Sequence, residues 1–235
     1  MASAPGTRRS VLVAGGTGAL GGAVLRELLD AGHRVTATWL EDRERERVET
    51  DLGDREALTL VRADLMELEG AEAAVAATED LGAVVNLVGG YASGPLAHEN
   101  HPDEFERMMR LNLRPGCCLV CAAMPHLLEA GGGAYVGVSA RPALKPFAGA
   151  ATYVTAKAAV LAFVQALDAD YRQSGIRANA ILPSVIDTPA NRAATPDADF
   201  SKWVQPAEIA RVVRFLVSDD AGVTSGGAIP VYGRA

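Results

Sequence analysis

A tyrosine and a lysine four residues apart, Tyr153 and Lys157, open a long alanine-rich stretch of the chain. On a helix this spacing places the phenol and the ammonium group on one face. A free tyrosine has a pKa of about 10, and a neighbouring lysine cation would lower that pKa toward neutrality. Ser139 ends the apolar run before this stretch, and ligands of open α/β sheets bind where strands end. The three side chains therefore indicate a site for proton transfer.

A second candidate site lies near the N-terminus, where the apolar run Ser10–Ala14 leads directly into glycines. Gly16, Gly18 and Gly21 satisfy G-x-G-x-x-G between a predicted strand and a predicted helix, the context in which this motif indicates dinucleotide binding. Glycines let backbone N–H groups approach a pyrophosphate, and the start of the helix adds unpaired donors. Since no Gly-Lys-Ser/Thr follows, a P-loop nucleotide hydrolase is disfavoured.

The end of the second predicted strand leaves the choice between NAD and NADP open. An acidic residue there would bind the ribose 2′-hydroxyl of NAD, and an arginine would accept the 2′-phosphate of NADP. This chain has Trp39, followed by Glu41, Asp42 and Arg43, so either cofactor can be accommodated. We expect Trp39 to pack beside the adenine. Asp64, after the third strand, is expected to bond the adenine amino group or to close a turn.

Short aliphatic runs alternate with stretches of helical length along the chain, which predicts βαβ units. The expected fold is α/β: a single doubly wound Rossmann domain over residues 1–235, with a parallel sheet of about seven strands and helices on both faces. The predicted strands are Ser10–Ala14, Arg34–Trp39, Leu58–Arg62, Ala83–Val88, Ala134–Ser139, Arg177–Leu182 and Ala228–Val231. The predicted helices are Ala19–Ala31, Arg43–Thr50, Glu67–Ala77, Pro102–Glu129, Ala151–Ser174 and Pro206–Ser218.

Two of these helices contain segments that are apolar on every side, Cys117–Met124 and Ala158–Leu167. Such a helix must be covered on every side, whereas a sheet covers one face only. The second face is expected to pack on another subunit, as in a homodimer or homotetramer. The alternative is a fully internal helix.

Composition excludes several classes of protein. The 235 residues are 49% hydrophobic and 22% charged, as in a globular domain, and no apolar run reaches the roughly 18 residues of a membrane span. A net charge of −7 argues against nucleic-acid binding. The start of the chain has no secretory apolar region, so we expect a cytoplasmic protein. The three cysteines (Cys117, Cys118, Cys121) are interpreted as helix core and the His98–His101 pair as a solvated loop, so no metal site is predicted.

Over nearly its full length the chain resembles the short-chain dehydrogenase/reductase family. The glycine loop has the family's form at Gly15, Ala19 and Gly21, and residues 86–89 stand where the family carries Asn-Asn-Ala-Gly. The resemblance implies a catalytic tetrad that consists of Asn112, Ser139, Tyr153 and Lys157. It also implies an NAD or NADP site formed by Gly15, Thr17, Gly18, Ala19, Leu20, Trp39, Arg43, Asp64, Leu65, Asn86, Val88, Gly89, Tyr153, Lys157, Pro183, Ile186 and Thr188.

The mechanism that the resemblance implies is hydride transfer from NAD(P)H to a carbonyl or imine carbon of a small molecule, or the reverse. Tyr153 would protonate the heteroatom, and Lys157 would lower the pKa of the phenol and hold the nicotinamide ribose. Ser139 would orient the carbonyl group, and Asn112 would hold a water molecule. Thr188 would bond the nicotinamide carboxamide.

A finer resemblance links residues 187–203 and the run Gly89-Gly90-Tyr91 to quinoid dihydropteridine reductases. The chain departs from that branch by having Ser139, and by having Trp39 where the branch carries an acidic residue. A carbonyl reductase and a dihydropteridine reductase therefore stay open, as does a non-catalytic NAD(P)-binding regulator. Residues 188–204 are expected to form a short substrate lid. Tyr91 is expected either to line the substrate site or to cover the end of the sheet.

Overall fold

Seven parallel strands form one sheet in the computed structural model, which describes residues 9–234. Their spatial order is the third, second, first, fourth, fifth, sixth and seventh, so the chain winds in opposite directions from the neighbouring first and fourth strands. This reversal places a crevice at the carboxyl ends of those two strands. The strands are β1 (Ser10–Ala14), β2 (Val35–Trp39), β3 (Leu58–Arg62), β4 (Leu81–Asn86), β5 (Gly133–Val138), β6 (Ile176–Pro183) and β7 (Ala228–Val231).

Helices cover both faces of the sheet, so the prediction of a doubly wound Rossmann fold is confirmed. The helices are α1 (Ala19–Asp30), α2 (Asp42–Leu52), α3 (Leu68–Ala76), α4 (Pro102–Glu129), α5 (Ala151–Tyr171), α6 (Pro189–Ala194) and α7 (Pro206–Val217). One apolar core joins the sheet to α1, α2 and α7. The other core joins the opposite face to α3, α4 and α5.

Several predicted boundaries are corrected, most of them by one or two residues. Strand β4 ends at Asn86 rather than Val88, because the Asn86 Oδ1 atom accepts a hydrogen bond from the Val88 N–H at 3.1 Å and turns the chain. Helix α5 ends at Tyr171 and continues as a 3₁₀ turn over Arg172–Ser174. The lid segment contains a helix that was not predicted, α6, whose first turn is capped by the Thr188 side chain.

The two helices with apolar segments differ in how they are covered. Helix α4 packs against α3, α5 and the sheet, and its segment Cys118–Val120 is buried within the subunit. Neighbouring elements thus cover most of the predicted segment Cys117–Met124, in which Cys121 is exposed, and packing of α4 on a second subunit stays a prediction. Helix α5 keeps an exposed stripe of small side chains, Ala162, Ala166 and Ala169.

Two expectations drawn from the sequence concern the start of the chain and membrane-spanning helices. Residues 1–8, where a secretory segment was judged absent, lie outside the described residues. Over residues 9–234 no helix combines the length and apolar character needed to cross a membrane. The seven described helices belong to the two layers around the sheet and to the lid segment.

Candidate active site

Ser139 and Lys157 are joined where the end of β5 meets α5. The buried Lys157 side chain, only 6% of the residue being exposed, donates from Nζ to the Val138 carbonyl oxygen at 3.0 Å. The Ser139 Oγ atom donates in turn to the Lys157 carbonyl oxygen at 2.7 Å. These two hydrogen bonds fix the first turns of α5, which carry Tyr153 and Lys157, to the carboxyl end of the sheet.

Asn112 approaches the same lysine from α4. A Cβ atom added to Gly89 would lie 2.7 Å from Asn112 Oδ1 and 2.9 Å from Lys157 Nζ, so both polar groups converge on the space that this glycine leaves open. The Asn112 amide donates to the Met108 carbonyl oxygen at 3.0 Å and accepts from the Gly90 N–H at 3.1 Å. Asn112 therefore connects α4 to the loop that follows β4.

Tyr153 lies against a second tyrosine, Tyr91, with ring centroids 4.9 Å apart and an interplanar angle of 74°. Burial, and then the proximity of Tyr91, raises the pKa of Tyr153 to about 12. Burial lowers the pKa of Lys157 to about 8. The shift at Tyr153 is opposite to the one expected from the sequence, because desolvation of the phenolate dominates and the Lys157 ammonium group is bonded to Val138.

The glycine loop has the tight backbone that its sequence predicts. Gly15 has φ +72°, and its N–H donates to Thr38 Oγ1 at 3.0 Å. A Cβ atom on Gly21 would overlap the carbonyl group of Gly16, so α1 begins in direct contact with the loop backbone. Gly18 is the N-cap residue of α1 and supplies no side-chain acceptor to the first amides. Such a glycine-lined helix start fits a pyrophosphate.

The glycine loop and the loop that follows β4 meet at Gly15. A Cβ atom on Gly15 would lie 3.1 Å from the Val88 side chain, which places the loop after β4 beside the glycine loop. The buried Thr17 hydroxyl donates to Glu44 Oε2 at 3.2 Å, and the Thr17 carbonyl oxygen accepts from Arg47, so α2 is attached to the loop.

At the end of β2, Trp39 lies close to two guanidinium groups that its sequence context did not indicate. Arg45 is 5.4 Å and Arg62 is 5.9 Å from its ring centroid. Arg62 reaches Trp39 because the two residues are paired in the register of β2 and β3, which no local motif indicates. The predicted Arg43 is exposed on the first turn of α2. Asp64 accepts from the Met66 N–H at 2.9 Å, as the turn interpretation predicts.

The remaining predicted cofactor residues follow the same edge. Leu65 is buried after β3, and Pro183 is the last residue of β6. Ile186 pairs with Val204 across the base of the lid segment. The structure brings these positions to the carboxyl edge of the sheet, together with Ala19 and Leu20 in the first turn of α1 and Asn86 at the end of β4.

The lid segment is fastened at its base. The Asp187 N–H donates to the Val204 carbonyl oxygen at 2.9 Å, which closes residues 188–203 into a loop. The Asp187 carboxylate, in a side chain 6% exposed, accepts from Arg192 and from Gln205, and these bonds lower its pKa to about 2. The Arg192 guanidinium also lies 4.7 Å from the Phe200 ring centroid.

The cysteines and histidines take no part in the groups described above. Cys118 is buried, Cys121 is exposed, and burial raises the pKa of both Cys117 and Cys118. His101 caps the start of α4 by accepting from the Asp103 N–H. Among residues 9–234, no group of three or more His, Cys, Asp or Glu side chains is arranged to hold a metal ion.

A doubly wound sheet with a glycine-lined helix start at its carboxyl edge is typical of dinucleotide-binding proteins. The model of the short chain dehydrogenase family matches residues 9–199. The chain belongs to this family of dehydrogenases and reductases, as its motifs predicted.

Individual relatives match nearly the whole chain. The 2-(R)-hydroxypropyl-CoM dehydrogenase of Xanthobacter autotrophicus is 31% identical, over 96% of this chain and 97% of that protein. An acetoacetyl-CoA reductase of Shinella zoogloeoides is 29% identical, with the same two coverages. The solved structure of ElxO with NADP bound is 21% identical, has a TM-score of 0.89, and covers 96% of this chain and 98% of that one, which shows the common fold. These names do not favour a dihydropteridine reductase.

Proposed function

We propose that the protein transfers hydride between a nicotinamide cofactor and a small carbonyl or alcohol substrate, with Asn112, Ser139, Tyr153 and Lys157 as the catalytic tetrad. The observation that supports this most is that Asn112 on α4 and Ser139, just after β5, both approach Lys157, which lies one turn after Tyr153 on α5. The glycine loop lies at the same carboxyl edge of the sheet. No residue of the tetrad is missing, which argues against a non-catalytic regulator.

NAD or NADP would be held by the residues that the sequence analysis assigned to it. The glycine loop and the start of α1 would hold the pyrophosphate, and Trp39 with its two arginines would border the adenosine. The bound cofactor supplies or accepts the hydride. The direction of reaction stays open, since the relatives include both a dehydrogenase and a reductase.

The proton that the substrate oxygen gains or loses would be transferred by side chains of the protein. A raised pKa keeps the Tyr153 hydroxyl protonated at neutral pH, so it can donate to a carbonyl oxygen. The nearby Lys157 cation favours the phenolate that this donation leaves. The Ser139 hydroxyl donates its single proton to the Lys157 carbonyl oxygen, so it must rotate to bond a substrate oxygen.

Exposed apolar side chains surround this edge and would contact the substrate. They lie in the loops that follow β5 and β6: Leu144, Phe147 and Val185. Large exposed apolar groups gathered near a polar site are typical of a binding surface. The short lid segment would cover a small substrate bound there.

The test compares the initial rates of NADH and NADPH oxidation with a small diketone and with a quinonoid dihydropterin. We expect the diketone to be reduced, and Tyr153→Phe to lower the rate at least about 100-fold, the usual contribution of a positioned acid. Its cofactor affinity should not change. Turnover of the pterin alone would assign the chain to the dihydropteridine reductase branch. Full activity of Tyr153→Phe would exclude the tetrad mechanism.

We also propose that the protein forms a homodimer or homotetramer through the exposed alanine stripe of α5. Ala162, Ala166 and Ala169 have no large side chain to keep a second helix at a distance. Gel filtration of the protein alone would show whether it self-associates, and a monomer at micromolar concentration would exclude this proposal. The cytoplasmic location stays a prediction.

A further inference from the structure

We propose that Tyr91 is a positioning residue: its ring holds the Tyr153 phenol in the direction from which it reaches the substrate. The proposal rests on the assignment of Tyr153 as proton donor. It gives a role to an aromatic side chain that the sequence left undecided between lining the site and covering the sheet.

The first observation is how Tyr153 itself is held. Over residues 9–234, no side chain or backbone group forms a hydrogen bond with the Tyr153 hydroxyl, so ring packing alone sets the direction of the phenol. Tyr91 supplies the aromatic part of that packing in an edge-to-face geometry, with 4.9 Å between ring centroids. This separation lies in the range in which aromatic pairs attract each other beyond simple burial.

The second observation is that Tyr91 is fixed at its own far end. Its hydroxyl shares a hydrogen bond of 2.6 Å with Ser93 Oγ, two residues along the loop. An aromatic ring anchored at its hydroxyl and at its backbone has little freedom to turn. The contact with Tyr153 is therefore a defined one.

The third observation is that the loop carrying Tyr91 is tied to both helices of the tetrad. The Gly90 N–H donates to Asn112 on α4, and a Cβ atom at Gly90 would overlap the Leu111 side chain. At the other end, the Gly94 N–H donates at 2.8 Å to the carbonyl oxygen of Gly149, two residues before α5. Tyr91 is held between the helix of Asn112 and the helix of Tyr153.

Exposure distinguishes this role from simple covering of the sheet. Tyr91 is 62% exposed, whereas a residue that covers the sheet end would be mostly buried. The covered part of its surface includes the contact with Tyr153. The Tyr91 side chain is exposed, yet it is anchored at both ends. A role in holding Tyr153 in position explains both features.

The experiment compares Tyr91→Phe, Tyr91→Leu and Ser93→Ala with Phe215→Ala, a matched control that removes an exposed aromatic ring from α7. We expect Tyr91→Leu to lower kcat by about threefold to tenfold, as loss of one aromatic pair predicts. Tyr91→Phe should keep most of the activity because it keeps the ring, and Ser93→Ala should lie between them. KM and cofactor affinity should change less than twofold in every variant.

A second readout does not depend on turnover. The ultraviolet difference between a protein and its Tyr153→Phe counterpart isolates the phenolate titration of Tyr153. The groups near this phenol are Tyr91 in the loop after β4 and Lys157 one turn further along α5. In the Tyr91→Leu background water reaches the Tyr153 ring, so its titration should move to lower pH than in the wild type.

The outcomes separate the two proposals. An unchanged kcat with a raised KM in Tyr91→Leu would mean that the ring contacts substrate and does not position Tyr153. An unchanged Tyr153 titration in that variant would also overturn the inference. A fully active Tyr153→Phe enzyme would refute the proposed proton donor, while the titration would still show whether Tyr91 holds the Tyr153 ring.

Discussion

The proposed cofactor side and the proposed substrate side of the crevice are built in different ways. On the cofactor side, backbone meets backbone: a Cβ atom on Gly21 would overlap the Gly16 carbonyl group, and one on Gly70 would overlap that of Asp64. On the substrate side, contacts between side chains, such as Tyr91 with Tyr153 and Asp187 with Arg192, add to the backbone hydrogen bonds that close the loops. Backbone contacts cannot adjust to an added atom, whereas side chains can be exchanged. This difference explains how one fold carries many substrate preferences on a constant cofactor site.

The strongest test of this comparison is Gly21→Ala. The added methyl group has no space beside the Gly16 carbonyl group, so the loop must move away from α1. We expect cofactor affinity to fall about 100-fold, equivalent to about 3 kcal/mol, as measured by fluorescence titration with NADH and NADPH.

Gly22→Ala is the matched control for this variant. It adds the same methyl group one residue further along α1, where nothing lies within 4 Å of the new atom. Alanine also favours the helix. Equal affinity in both variants would show that backbone contact does not set the cofactor site.

An effect of at most the same size is expected from the buried Lys157 cation, which lies between the two sides. The pKa of Lys157, about 8 against an ordinary 10.5, means that the folded protein binds fewer protons than the unfolded chain between these pH values. The contribution of Lys157 to the free energy of unfolding therefore rises with pH across this window and is lowest below pH 8. Lys157→Met should remove the rise and add up to about 3 kcal/mol to the free energy of unfolding at pH 7.

Chemical denaturation of both proteins from pH 6 to pH 10 provides the measurement. The difference between the two curves cancels the contributions of Cys117, Cys118 and Tyr153, whose raised pKa values act in both proteins. Parallel curves would show that Lys157 titrates as an ordinary exposed lysine.

The smallest effect is expected at the lid segment, where an ionic contact of Asp187 is replaced by a neutral side chain of the same size. Asp187→Asn keeps the size of the side chain but removes the charge that bonds Arg192 and Gln205. We expect trypsin to cut after Arg192 or Lys202 a few times faster, by about the factor of two to five that one partly exposed ion pair supplies.

Asp199→Asn is the control for the lid, because it changes an exposed carboxylate of the same segment that bonds only near neighbours, Ser201 and Lys202. If both variants are cut at the wild-type rate, the Asp187–Arg192 pair does not fasten the lid.

The motifs of the candidate site could be predicted where the residues concerned lie close together in the sequence. Tyr153 and Lys157 lie on one helix turn, and the glycine loop directly follows β1, so spacing and sequence context predicted their placement, and the family resemblance supplied their expected roles. The contacts of Trp39 with Arg62 and of Tyr91 with Tyr153 were not predictable, because they depend on strand register and on loop placement. The direction of the Tyr153 pKa shift was missed because desolvation depends on the packed surroundings, which the lysine spacing does not describe.

Helix α5 carries the proposed proton donor, Tyr153, in its first turn and an exposed alanine stripe further along the same helix. A second copy docked on that stripe would contact the same helix that carries Tyr153. Dilution would then change the activity, because specific activity would depend on enzyme concentration. Rates measured at nanomolar protein would describe a different oligomeric species from rates measured at high protein concentration.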